Sequence, residues 1–187
     1  DYDSITTATW SPDNTRILTT SRKVARVWDA RTGKTTLKLT HQRPVNAVAW
    51  SPDGTHILTG ANDHIARVWD ARTGQTTLEL THQSSVTAVA WSPDGAHILT
   101  GTIDGTARVW DAATGKTTLT LSHTLTNNDS ITTATWSPNA THILTKSHDG
   151  AVRVWDAATG KTTLTLNHTR RVTRATWSPD NTRILTT

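Results

Sequence analysis

The chain has 187 residues and a net charge of +4; with no Cys it holds neither a disulfide framework nor a thiolate metal site, and it has no apolar run long enough to span a bilayer. Only 34% of residues are hydrophobic, and the shortfall is made up by roughly forty Thr, a residue suited to half-exposed pleated strands. The pI near 9.9 admits an acidic partner without identifying one. No secretory leader opens the sequence. It starts on Asp1 rather than Met and reads as a processed piece or a fragment, and a cytoplasmic location is expected.

Two strings recur along the chain. Trp-Ser-Pro starts at Trp10, Trp50, Trp91, Trp136 and Trp177, with spacings of 40, 41, 45 and 41. Arg-Val-Trp-Asp ends at Asp29, Asp70, Asp111 and Asp156. A period in the low forties fits four short strands per unit. It predicts units 1–40, 41–81, 82–122 and 123–167, then a half unit 168–187. In the first unit, Trp10 to Trp28 is 18 residues, against 19 from Trp50 to Trp69. The deletion falls at Thr20-Ser21-Arg22-Lys23, where no Asp is available, and a looser b–c turn is expected there.

The third unit shows the strands most plainly. Val86 to Trp91 alternates as strand a, His97 to Gly101 is strand b, Thr106 to Trp110 strand c and Thr117 to Leu121 strand d. Ser92-Pro93-Asp94-Gly95, Asp104-Gly105 and Ala113-Thr114-Gly115-Lys116 supply the turns. Breakers about every ten residues favour a meander of short strands. At the start of the fourth unit, Thr124-Leu125-Thr126-Asn127-Asn128-Asp129 lengthens the d–a loop, and binding concentrates in loops on a rigid scaffold. The half unit adds two strands, and the expected total is 18. Ala8 to Thr20 and Ala175 to Thr187 are identical in sequence.

The Ser-Pro-Asp-Gly turns, the Arg-Val-Trp-Asp endings and the Thr…Asp…Trp…His order within each unit resemble the WD-repeat family, over essentially the whole chain. The resemblance implies an all-β propeller of four four-stranded blades and a two-stranded half blade, with strand a lining the channel and strand d at the rim. It also implies a hydrogen-bonded set inside each blade: Thr59, Asp63, Trp69 and His82; Thr100, Asp104, Trp110 and His123; Thr145, Asp149, Trp155 and His168. A buried imidazole and indole need partners, and the Asp and hydroxyl are expected to supply them. The first unit offers only Thr19, Trp28 and His41.

A hydroxyl, a His and an Asp also spell a hydrolase triad. The set recurs in every unit with its Thr on a strand, so no catalytic residue is assigned. The repeated His would be spread around a ring and cannot converge on one metal. Thr-Gly-Lys-Thr-Thr at Thr32, Thr114 and Thr159 lacks the upstream Gly of a phosphate-binding loop. Asn128, Asn139 and Asn167 fit the glycosylation pattern but read as polar turn residues. No cofactor is expected.

In an up-and-down meander the d–a and b–c turns share one face. That face carries Arg22, Lys23, Arg43, His64, Lys146, His148, Arg170 and Arg171 and is expected to be the more positive. The leading reading is a non-catalytic interaction scaffold or sensor domain that takes a protein partner, acidic in character, on this face. The alternative is a self-assembling propeller fragment, natural or engineered, whose copies complete a ring as a homodimer by exchanging their identical ends. Nucleic-acid binding ranks lower, because the Trp sit at repeat core positions rather than along a basic stripe.

Overall fold

The structure is a computed structural model and describes residues 5–123, 130–148, 150–169 and 172–187. Among these residues there are eighteen strands and no helix, hence none long and apolar enough to cross a membrane. Blade 1 is β1 (Thr7–Trp10), β2 (Arg16–Ser21), β3 (Val24–Asp29) and β4 (Thr35–Thr40). Blade 2 is β5 (Val45–Trp50), β6 (His56–Ala61), β7 (Ile65–Asp70) and β8 (Thr76–Thr81). Blade 3 is β9 (Val86–Trp91), β10 (His97–Thr102), β11 (Thr106–Asp111) and β12 (Thr117–Ser122). Blade 4 is β13 (Ile131–Trp136), β14 (His142–Ser147), β15 (Ala151–Asp156) and β16 (Thr162–Asn167). A half blade follows, β17 (Ala175–Trp177) paired with β18 (Ile184–Thr186). Every sheet is an antiparallel meander in sequence order.

Turn chemistry sets these boundaries. In the a–b turn of blade 2, Asp53 accepts hydrogen bonds from Ser51 Oγ at 2.5 Å and Thr55 N at 3.0 Å, and Gly54 takes φ 69°. In the c–d turn, Asp70 accepts from Thr73 N at 2.7 Å, and Gly74 takes φ 72°. Glycine takes such angles at no steric cost.

The core lies between blades rather than within one. Each strand b carries two consecutive apolar residues that point to opposite faces of its sheet. Ile57 packs with Leu18, Val27 and Leu39 of blade 1, while Leu58 packs with Ile98 and Trp110 of blade 3. Leu99 in turn meets Ile143 and Trp155 of blade 4. Both faces of a middle sheet are therefore buried, and its central strands lose the in–out polarity of a half-solvated sheet.

Strands β5, β9 and β13 pack side by side as the inner strands, whereas β8 and β12 are largely exposed as outer strands. The inner packing is close. A Cβ on Gly60 would meet Val86 Cγ1 at 2.6 Å and Val89 Cγ1 at 2.8 Å.

Two expectations fail here. The b–c turn of blade 1 is not looser. Ser21 pairs with Val24, leaving a two-residue hairpin at Arg22-Lys23 with Arg22 at φ 47°. Deleting a residue shortens the loop to the length that tight hairpins use. The Trp are also not all core residues. Trp10 is 56% exposed, and among the described residues no sheet covers that face of blade 1. The inserted loop, 124–129, lies outside the described residues.

Candidate functional site

The repeated polar residues do assemble at the blade junctions, but in a different grouping from the one the resemblance implied. Trp69 Nε1 donates to Thr59 Oγ1 at 2.9 Å, and the imidazole on that hydroxyl is His41, whose Nε2 lies 2.8 Å away. His82 serves Thr100 at 2.8 Å, together with Trp110 at 2.9 Å. His123 serves Thr145 at 2.5 Å, together with Trp155 at 2.8 Å. His168 lies 3.1 Å from Thr186 of the half blade. Each His thus belongs to the blade after its own. The d–a connection carries it past the end of its sheet, so that its backbone caps its own b–c turn while its ring enters the next blade. His41 N, for example, donates to Lys23 O at 2.8 Å.

The carboxylates are not where the resemblance put them either. Asp63 accepts Arg67 Nη1 at 2.7 Å and Ile65 N at 3.3 Å. Asp104 accepts from the hydroxyls of Thr102 at 2.6 Å and Thr106 at 2.8 Å. Asp149 lies outside the described residues. Nδ1 of His41 and of His82 is buried with no hydrogen-bond partner. The group facing each imidazole is instead the Arg of the Arg-Val-Trp-Asp string. Arg153 donates to His123 Nδ1, which fixes the tautomer with the proton on Nε2 and makes Thr145 Oγ1 its acceptor.

Burial, and then the Arg67 charge, pushes the His41 imidazole below its ordinary pKa. Burial and Arg108 hold His82 at about 4. These rings are neutral at physiological pH.

This arrangement has no nucleophile to offer. Thr59, Thr100 and Thr145 are fully buried, and each hydroxyl accepts an indole N–H. Neither Asp63 nor Asp104 orients the imidazole as a triad would require. Among the described residues no three metal-ligating side chains come together.

The face formed by the d–a and b–c turns is real as a surface. Pro44, in the turn after blade 1, lies between two b–c turns: Val45 N donates to Arg22 O at 2.7 Å, and Asn62 N to Pro44 O at 2.9 Å. A cleft of about 520 Å³ opens there, lined by Ser21, Arg22, Lys23, Val24 and Pro44. Arg22 and Lys23 line it and are exposed, as is Arg43 next to Pro44; His64, in the b–c turn of blade 2, is exposed as well. Lys146 does not join them. It is only 5% exposed, and its Nζ donates to the carbonyls of Val172 at 2.9 Å and Thr173 at 3.3 Å. It stands where blades 2 and 3 have Gly60 and Gly101, a position against the next inner strand, and so it is drawn inward. His148 is half-buried, with its N–H on Ser130 O at 2.9 Å. Arg170 and Arg171 lie outside the described residues.

Four-stranded meanders on a forty-residue period, packed face to face with inner first strands and joined by indole–hydroxyl–imidazole sets, define a WD-repeat β-propeller protein. Residues 4–187 match the family model described as the IFT122 first beta-propeller, and the chain belongs to that family. No curated protein matches the chain.

Proposed function

We propose that this chain is a non-catalytic interaction scaffold that receives an acidic segment of a protein partner at the Arg22–Lys23–Pro44 cleft. The observation that carries the reading is an exposed cluster of cations, Arg22, Lys23 and Arg43, at a concave junction of two blades. No ion pair engages these cations among the described residues. An acidic segment would gain long-range attraction without first breaking internal pairs. The test is fluorescence anisotropy with a labelled glutamate-rich peptide. Binding should fall at least tenfold in R22E/K23E and stay unchanged in R31E/K34E, which alters the exposed turn on the opposite face. Equal loss in both variants would reduce the effect to net charge and end the proposal.

A second reading is favoured by two incomplete sets. Trp28 donates to Thr19 at 2.8 Å with no imidazole present, while His168 reaches Thr186 with no indole present. Each lacks what the other has, and the strands that bear the two hydroxyls share one sequence. Blade 1 and the half blade therefore suit junction with a further WD unit, supplied by a second copy in a homodimer or by more of the same polypeptide. Sedimentation of the chain as a compact 20.4 kDa species at micromolar concentration would remove the homodimer.

A further inference from the structure

Strand b opens on the same repeat position in each blade, occupied in turn by Arg16, His56, His97 and His142. At the first junction Arg16 fills the space beneath the neighbouring a–b turn. Its guanidinium carbon lies 4.6 Å from the centroid of the Trp50 ring. Nη2 donates to Gly54 O at 2.8 Å and Nη1 to Ala71 O at 3.2 Å. Trp50, Gly54 and Ala71 are all buried.

At the second junction the counterparts Trp91, Gly95 and Ala112 are all half-buried. His56 stands in place of the arginine. Its Nδ1 turns to Thr55 Oγ1 at 2.8 Å, and its ring sits 6.2 Å from Trp91. A cleft of about 490 Å³ is left, bounded by His56, Trp91, Gly95 and Ala112, with Asp53 and Asp94 beside them. The third junction also holds a cleft, of about 540 Å³, bounded by His97, Trp136, Ala140 and Ala157 with Asp94 and Asp156 beside them; Ala140 and Ala157 are half-buried there, while Trp136 is as buried as Trp50. A Cβ on Gly54 would meet Arg16 Nη2 at 3.5 Å, whereas one on Gly95 would meet nothing nearer than Pro52 at 3.8 Å.

We propose that the clefts at the second and third junctions each accept an arginine side chain of a partner protein, placed as Arg16 is placed in the first. The chemistry is specific. A guanidinium is planar, so it stacks on an indole, and its fork donates to two carbonyls at once, whereas a lysine ammonium is a compact point charge that does neither. The local charge agrees. Hydrogen bonds from Ser51 and Thr55 hold the Asp53 carboxyl at about 2, and Ser92 keeps Asp94 below the usual range, so both are ionised beside the cleft. The clefts lie on the face of the a–b and c–d turns, opposite the cationic cleft, and stand independently of the scaffold reading given there.

The experiment follows the indole N–H signals of the whole chain by NMR during titration with N-acetyl-arginine amide and, separately, N-acetyl-lysine amide. The arginine compound should shift Trp91 and Trp136 saturably and leave Trp50 still, and the lysine compound should move them less than half as far. H56R supplies the occupant internally and should silence Trp91 while Trp136 still responds. R16H should make Trp50 respond. The proposal is overturned if every indole shifts in parallel, if the two compounds act alike, if Trp91 still responds in H56R, or if no saturable shift appears.

Discussion

Blades 1 and 3 are built from nearly the same residues, yet they hold their central hydroxyl differently. In blade 3, Thr100 lies between an indole and an imidazole and is fully buried. In blade 1, Thr19 has the indole of Trp28 alone, and that indole is half-buried. The half blade is the converse, with an imidazole on Thr186 and no indole. The difference shows that the set belongs to a junction between blades rather than to a single blade. A blade makes the hydroxyl and indole for itself and sends the imidazole that follows its strand d forward, so each blade is finished only by the blade before it.

The strongest way to break this comparison is to remove the indoles. Trp110→Ala should cost about 3–5 kcal/mol in urea unfolding, because it opens a cavity at the junction with blade 2 and takes one of two hydrogen-bond partners from the Thr100 hydroxyl. Trp28→Ala should cost less than half as much, since its other face is uncovered. Equal losses would mean that the indole stabilises its own blade and not the junction.

Gly60→Ala should cost about 1–3 kcal/mol by forcing β6 away from Val86 and Val89. A melting temperature at the wild-type value would show that the inner strands are looser than the contact distances imply.

His82→Ala should cost about 1–3 kcal/mol in the same assay, through the loss of the buried imidazole's hydrogen bond to the Thr100 hydroxyl. His168→Ala should cost less, because His168 is half-buried. A larger loss for His168 would reverse the junction argument.

The acid limb sharpens it further. The His82 pKa is depressed to about 4 from an ordinary 6.5, so below 6.5 the unfolded chain takes up a proton that the folded chain refuses. Stability is full above pH 6.5 and is lost as pH falls toward about 4, with a slope of at most about 1.4 kcal/mol per pH unit for this ring. His82→Ala should flatten that limb. An unchanged limb would assign the acid sensitivity elsewhere.

Smallest of all is the expected effect of a hydroxyl-directed acylating reagent. Intact-mass measurement should find Thr59, Thr100 and Thr145 unmodified, and stoichiometric labelling of any one would make the buried sets accessible after all.

Much of the fold was legible in the residues. The third unit's strands lie where alternation and the Pro, Asp and Gly turns put them, to within a residue at the C-terminal ends of strands b, c and d. The residue types at the junction sets were legible too. Their grouping was not. Thr59 with His82 is the natural reading along the chain, and only the d–a path shows that His41 is the one that arrives. Asp63 and Lys146 were misread for a related reason, since the partners they take, the Arg67 side chain and the carbonyls of Val172 and Thr173, are chosen by packing between neighbouring strands and blades.

What the sequence by itself determined is everything with a local cause: strand length, turn type, the parity that sends Ile57 and Leu58 to opposite faces, and the period that makes the units equivalent. Tertiary structure alone decided which His meets which Thr, which cations stay in water, and which junction cleft is filled by Arg16 and which are left open by His56 and His97. These depend on what the adjacent sheet presents across the gap. Units of nearly the same sequence then differ through their neighbours, because a buried donor, charge or cavity is settled by the atoms it faces rather than by those beside it in the chain.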